Sequence, residues 1–135
     1  MKKLVYSFLI VVLFCISCSK TEKQYKNPVF ATFFKKLSKE NVEEFYNFYY
    51  KDKTIEYKEE YIQILKEFKK YNCEFTITDY SSYKGEKPNL DNMTEGVYIL
   101  ENKNLKDPFF VKIENSKLKY LLPIGKGKED IIGWL

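Results

Sequence analysis

The sequence predicts an α+β fold, with about three N-terminal helices packed on an antiparallel sheet of about four strands. Two observations carry that prediction. Apolar residues recur at helical spacing from Val29 to Tyr71, and beyond Asn72 the period of the pattern switches to two. A run of helices followed by a run of strands is an α+β layout.

The elements follow in order. Asn27-Pro28 is a helix start, with Asn at the N-cap and Pro at the first helical position. Val29, Phe30, Phe33, Phe34 and Leu37 then make one apolar face. Ser38 is placed to cap a second helix, whose buried stripe is Val42, Phe45, Tyr46 and Tyr49. A third helix starts near Asp52 or Thr54, carries Tyr57, Tyr61, Ile64, Leu65, Phe68 and Tyr71 on one side, and stops at Asn72. Cys73, Phe75 and Ile77 alternate with Glu74, Thr76 and Thr78, which predicts a half-buried strand and puts the Cys73 thiol in the core. Residues 81–95 hold Gly, Pro, Asn and Asp and form a long loop. Residues 97–101 are a second strand. Phe109, Val111 and Ile113 mark a third, joined by Asn115-Ser116 to Leu118, Tyr120 and Leu122 as a hairpin. Pro123 ends the strand pattern, and Gly125 and Gly127 loosen the chain before the apolar tail 131–135.

Composition narrows the chemistry. The chain has 135 residues, of which 18% are aromatic and 31% charged, which is a globular mix and the size of one domain. Its net charge of +4 comes entirely from Lys, because the sequence holds no Arg. Without the guanidinium fork, and with charges of both signs interspersed, nucleic-acid binding is not expected. There is no His, so the commonest general base and the commonest metal ligand are absent.

The strongest motif is at the N-terminus. Met1-Lys2-Lys3 is a basic start, and 4–16 are apolar apart from Ser7. That run suits a signal peptide and falls short of the ~20 residues that span a bilayer. It ends in Cys15-Ile16-Ser17-Cys18-Ser19-Lys20, which resembles the lipobox of bacterial lipoproteins, with Cys15 where the family usually has Leu. The resemblance implies cleavage between Ser17 and Cys18 and lipidation of Cys18, including palmitate-type acyl chains. Residues 1–17 are then a signal peptide, 18–27 the lipidated Cys and a polar Lys-rich tether, and 28–135 a single α+β domain. The implied location is the cell envelope, anchored in the membrane by lipid and facing away from the cytoplasm. An ordinary secretory leader, cut after Ser19, is the alternative.

The mature part weakly resembles NTF2-like or cystatin-like small exported domains. The resembling stretches are Phe33-Phe34-Lys35-Lys36-Leu37-Ser38-Lys39-Glu40-Asn41, the helix ending at Asn72, and Phe109-Phe110-Val111-Lys112-Ile113-Glu114-Asn115-Ser116-Lys117-Leu118-Lys119. Ser116 and Leu118 stand where that family often has Gly and Trp. The resemblance implies a helical opening ahead of a curved sheet. It bears on fold rather than activity.

Candidate chemistry is sparse. Glu40, Glu43, Glu44 and Glu56, Glu59, Glu60 fall on polar helix faces and near helix starts, where negative charge is favoured anyway. Asp79 continues the core-side alternation of Ile77, so it is the acid to inspect, either as a buried catalytic carboxyl or as a strand end. Asn89, Asp91 and Asn92 lack the spacing of a calcium loop. Gly125-Lys126-Gly127-Lys128 lacks the strand and helix context of a phosphate loop. Of the adjacent pair Tyr49 and Tyr50, one should face away from the core. No catalytic residue, metal or cofactor is expected. The expected role is non-enzymatic binding of a protein or an apolar ligand. The alternatives are a small NTF2-like isomerase or hydrolase using a buried acid, and an inhibitor or immunity-type lipoprotein.

Overall fold

The computed structural model describes residues 25–53, 55–90, 93–126 and 130–135. Among these are three α-helices, a four-stranded antiparallel sheet and a separate two-stranded one, so the α+β layout holds. Residues 1–24, Ser17 and Cys18 among them, lie outside the described residues. Among those described, no helix is long and apolar enough to cross a membrane.

Helix α1 spans Pro28–Lys39. It starts where the sequence places it: the Asn27 side chain accepts the Val29 N–H at 2.9 Å, with Pro28 at the first helical position. Ser38 does not cap the next helix. It sits inside α1 and donates its hydroxyl to the Lys35 carbonyl at 2.7 Å. Asn41 caps helix α2, Val42–Tyr49, by accepting from the N–H groups of Glu43 at 2.9 Å and Glu44 at 3.4 Å. Helix α3, Lys58–Lys70, follows a short 3₁₀ turn at Ile55–Tyr57 and has no side-chain cap. Glu59 and Glu60 in its first turn and Lys69 and Lys70 in its last complement the helix dipole instead. Lys69 donates to the Glu40 carbonyl at 2.5 Å and Asn72 to the Phe34 carbonyl at 3.0 Å, which ties the end of α3 to α1.

The main sheet is a meander of β1 Thr76–Asp79, β2 Val97–Glu101, β3 Phe109–Glu114 and β4 Lys117–Tyr120, in that spatial order. Strand alternation sorts its faces. Ile77, Tyr98, Leu100, Phe109, Val111 and Leu118 pack toward the helices. Val97 and Phe110 point the other way, into a small second core with Leu90, Ile131 and Trp134. The Asn115-Ser116 turn has φ 52° and 59°, the two left-handed residues of a type I′ hairpin. Gly96 enters β2 at φ 73°, and a Cβ there would stand 2.4 Å from the Ile113 carbonyl oxygen. That close approach lets Gly96 accept the Ile113 N–H at 2.8 Å.

Three readings of the sequence need correction. The strand begins at Thr76, not Cys73: Cys73 lies in a turn after α3 with φ 74°, and its side chain is half-buried rather than a core thiol. Pro123 does not end the strands. It opens β5, Pro123–Lys126, which pairs with β6, Asp130–Trp134, so the apolar tail is a strand. A proline is tolerated there as the first residue of a strand. Tyr25, placed in the tether by its polar neighbours, is only 5% exposed and stacks on Phe34 at 4.8 Å, so the folded domain reaches back at least that far.

The space between helices and sheet is filled by rings. Phe30, Phe34, Phe45, Phe68 and Tyr61 are fully buried, and Phe75 is nearly so. Phe34 contacts Phe68 and Phe75 at centroid distances of 5.7 Å each, and Phe68 meets Phe109 edge-on at 4.9 Å. Such offset and edge-on pairs add ~0.5–1.5 kcal/mol each beyond the area they bury. Of the tyrosine pair, Tyr50 turns inward and Tyr49 lies half-buried on Phe45, while the residue facing water is Phe48, 73% exposed.

Candidate functional site

The residues singled out from the sequence fall in two groups, those the structure describes and those outside the described residues. Asp79 is the last residue of β1 and marks the strand end. Its carboxylate accepts the Ser81 hydroxyl at 2.5 Å and the Ser82 N–H at 3.1 Å, and these bonds hold its pKa below the usual carboxylate range. It is an ionised turn anchor at the surface, the reverse of a buried acid. Asn89 forms a bridge to Asp130, and Asp91 and Asn92 lie outside the described residues, as do Gly127 and Lys128. Glu40 is half-buried at the end of α1, and the other helix-face glutamates are exposed. Among the described residues no three His, Cys, Asp or Glu side chains converge as a metal site.

What the sequence pattern did not single out is the contrast between the two edges of the main sheet. The β4 edge is covered. Leu118 lies one residue beyond the Glu114↔Lys117 pair that closes the tight turn, so its carbonyl points outward, and the Tyr50 hydroxyl donates to it at 2.7 Å. Just past the strand, the Leu121 N–H donates to the Tyr61 hydroxyl at 3.3 Å. Lys117 and Lys119 are exposed along the strand, and Lys119 pairs with Glu114. Lysines on an edge discourage another strand from pairing there. The Lys53 ammonium stands 3.7 Å over the Tyr120 ring beside this edge. Burial, helped by the charge of Lys119, lowers Lys53 to about 8.

The β1 edge is built differently. The register opposes Asp79 to Tyr98, and the Tyr80 N–H donates to the Val97 carbonyl at 3.0 Å. Hydrogen-bonded pairs alternate in an antiparallel ladder, so Thr76, Thr78 and Tyr80 bond to β2 while Ile77 and Asp79 direct their N–H groups away from the sheet. Tyr25 supports this assignment. Its phenolic oxygen accepts the Cys73 N–H at 3.1 Å and is also hydrogen-bonded to the backbone of Phe75, two residues before Ile77. Burial outweighs these two bonds and raises the Tyr25 phenol to about 12, so it stays neutral. The Tyr25 side chain thus closes the edge at its Phe75 end, and among the described residues no group covers the Ile77 and Asp79 N–H groups.

A cleft of about 650 Å³ lies along that open stretch. Its walls are Tyr25–Asn27 on one side, Phe30 and Tyr98 at the floor, and Phe75–Ile77 with Asp79 on the other. Asn27 donates to the Tyr98 hydroxyl at 3.2 Å, and Phe30 meets the Tyr98 ring edge-on at 5.1 Å, so the floor is held from both strand and helix. A second depression of about 1100 Å³ crosses the outer face of the sheet beside Phe110 and Pro123. Some polar groups around it are engaged: Tyr83 donates to Glu101 at 3.0 Å, and Lys87 to the carbonyls of Tyr80 and Tyr83 at 2.7 and 3.3 Å.

The Ile77–Asp79 edge with its cleft is therefore the candidate site. What it offers is backbone hydrogen bonding beside an apolar floor. Its sequence signal is faint: Thr76-Ile77-Thr78-Asp79 carries no Lys, Pro or Gly, while β4 carries two lysines. Compared with known proteins, the chain matches no family model, no curated protein and no solved structure.

Proposed function

We propose that the chain is a lipid-anchored cell-envelope protein, held through Cys18 and facing away from the cytoplasm, whose folded domain binds a partner and performs no catalysis. The anchor rests on the Ser17-Cys18 leader motif. The binding role rests on one observation: the space over the sheet, where a domain of this layout would keep a catalytic pocket, is packed with Phe34, Phe68 and Phe75. Asp79, the acid that an NTF2-like enzyme reading needs buried, is a surface turn residue instead. Helices followed by an antiparallel meander are in keeping with the NTF2-like or cystatin-like resemblance, which we carry as part of this reading.

The test uses the full-length chain in the membrane of the cell that makes it. Chemical cross-linking in intact envelopes, followed by purification of the chain, should yield one protein in stoichiometric amount. Turnover in a broad substrate screen, lost on Asp79→Asn, would replace this reading with the enzyme.

A further inference from the structure

We propose that the partner docks as an extended, uncharged peptide segment that adds a strand to the open β1 edge and places an apolar side chain in the cleft floored by Phe30 and Tyr98. The inference rests on the partner-binding reading and specifies its chemistry.

Three observations select an extended backbone as the occupant. First, the Ile77 and Asp79 N–H groups and the Ile77 carbonyl point outward, two residues apart along a strand. That repeat matches the spacing of groups along another strand. The Asp79 carbonyl is already taken by the Ser82 and Tyr83 N–H groups at 3.2 Å each, so the open set ends there. Second, the protein covers its other edge with lysines and a tyrosine hydroxyl, whereas at β1 the described residues cover the Phe75 end alone, through Tyr25. An edge left open beside a cleft differs from an edge blunted against pairing. Third, side chains directly opposite each other on paired strands point to the same face. A partner residue opposite Ile77 would therefore point toward the helices, into the cleft. The ionisable side chains lining that cleft include one cation, Lys26, and one anion, Asp79, which suits a segment without net charge.

The experiment selects binders to the full-length chain, in detergent micelles, from a displayed library of short random peptides. Enriched peptides should alternate apolar and polar residues and lack charge at their centre. N-methylation of alternate amides of the best peptide should weaken binding by ~10-fold or more on one register and little on the other, because only one edge of it pairs. Ile77→Pro removes an outward N–H without touching the ladder to β2, a change edge strands tolerate. It should weaken binding by a similar factor. Ile77→Ala keeps the amide and trims only the side chain that lines the cleft, so Ile77→Pro should bind several-fold more weakly than Ile77→Ala. The proposal is overturned if no peptide is enriched, if Ile77→Pro binds as well as Ile77→Ala, or if N-methylation shows no register. A stoichiometric envelope partner captured alongside such a failure would leave the binding role standing with a different surface. Absence of both would remove both.

Discussion

At the scale of single residues, rings hold the core together and one amine couples it to pH. Phe34 is fully buried and touches Tyr25, Phe33, Phe68 and Phe75, so it joins the N-terminal segment, α1, α3 and the residue just before β1 at one point. Phe34→Ala should cost ~3–5 kcal/mol in denaturant unfolding, the range for a large-to-small change at a well-packed site. Lys53 makes a prediction in pH. Its ammonium falls to about 8 on folding, mainly through burial, while Glu114 and the Tyr120 ring beneath it pull the other way. A lowered folded pKa means that, between about 8 and the ordinary 10.5, the unfolded chain holds a proton the folded chain has shed. Stability contributed by this site therefore rises with pH through that window. Wild type minus Lys53→Met, measured by chemical denaturation at several pH values, should show the rise; taking the difference cancels the tyrosines that titrate nearby. A flat difference would place the amine in solvent.

At the scale of elements, much of the molecule was legible in the sequence. The Asn27-Pro28 start, the aromatic stripes of all three helices and the Asn115-Ser116 hairpin follow from local chemistry that acts over a few residues. The misreadings share a physical cause, which is that the deciding interaction was distant. Cys73 has the parity of Phe75 and Ile77, yet α3 must end and the chain reverse before β1, and the left-handed turn takes that residue. Tyr25 has polar neighbours in sequence, and only the fold brings Phe34 under its ring. Pro123 looks like a stop until β6 arrives from the far side of the loop to pair with it. Ser38 and Asn41 both suit a cap, and Asn41 wins because α1 continues to Lys39. Gly96 offers a test of how the β2–β3 pair is joined. Gly96→Ala faces a left-handed φ, worth ~1–2 kcal/mol for a residue with a Cβ, and a contact with the Ile113 carbonyl far too short to keep. It should destabilise the domain by ~2 kcal/mol or more in the same unfolding assay. A neutral result would mean that β2 is entered by a different backbone path.

At the scale of the whole molecule, the proposed anchor sets where the cleft would work. Tyr25 is buried and stands seven positions after Cys18. With the proposed lipid on Cys18, that stretch spans at most roughly 25 Å at ~3.3–3.6 Å per residue. A partner in the cleft that Tyr25 borders would then be met near the membrane surface. The candidate site was the least legible part of the sequence. An open edge is a property of which strand lies outermost, and no local pattern in Thr76-Ile77-Thr78-Asp79 announces it.

The proposed placement at the membrane rests on Cys18 being the mature N-terminal residue and carrying lipid. The direct measurement is the intact mass of the protein purified from the membrane fraction, with the N-terminal peptide sequenced by tandem mass spectrometry. We expect a chain beginning at Cys18 with a diacylglyceryl group on its sulfur, and Cys18→Ala released from the membrane without lipid. A mature chain beginning after Ser19, unmodified and found in the soluble fraction, would contradict it.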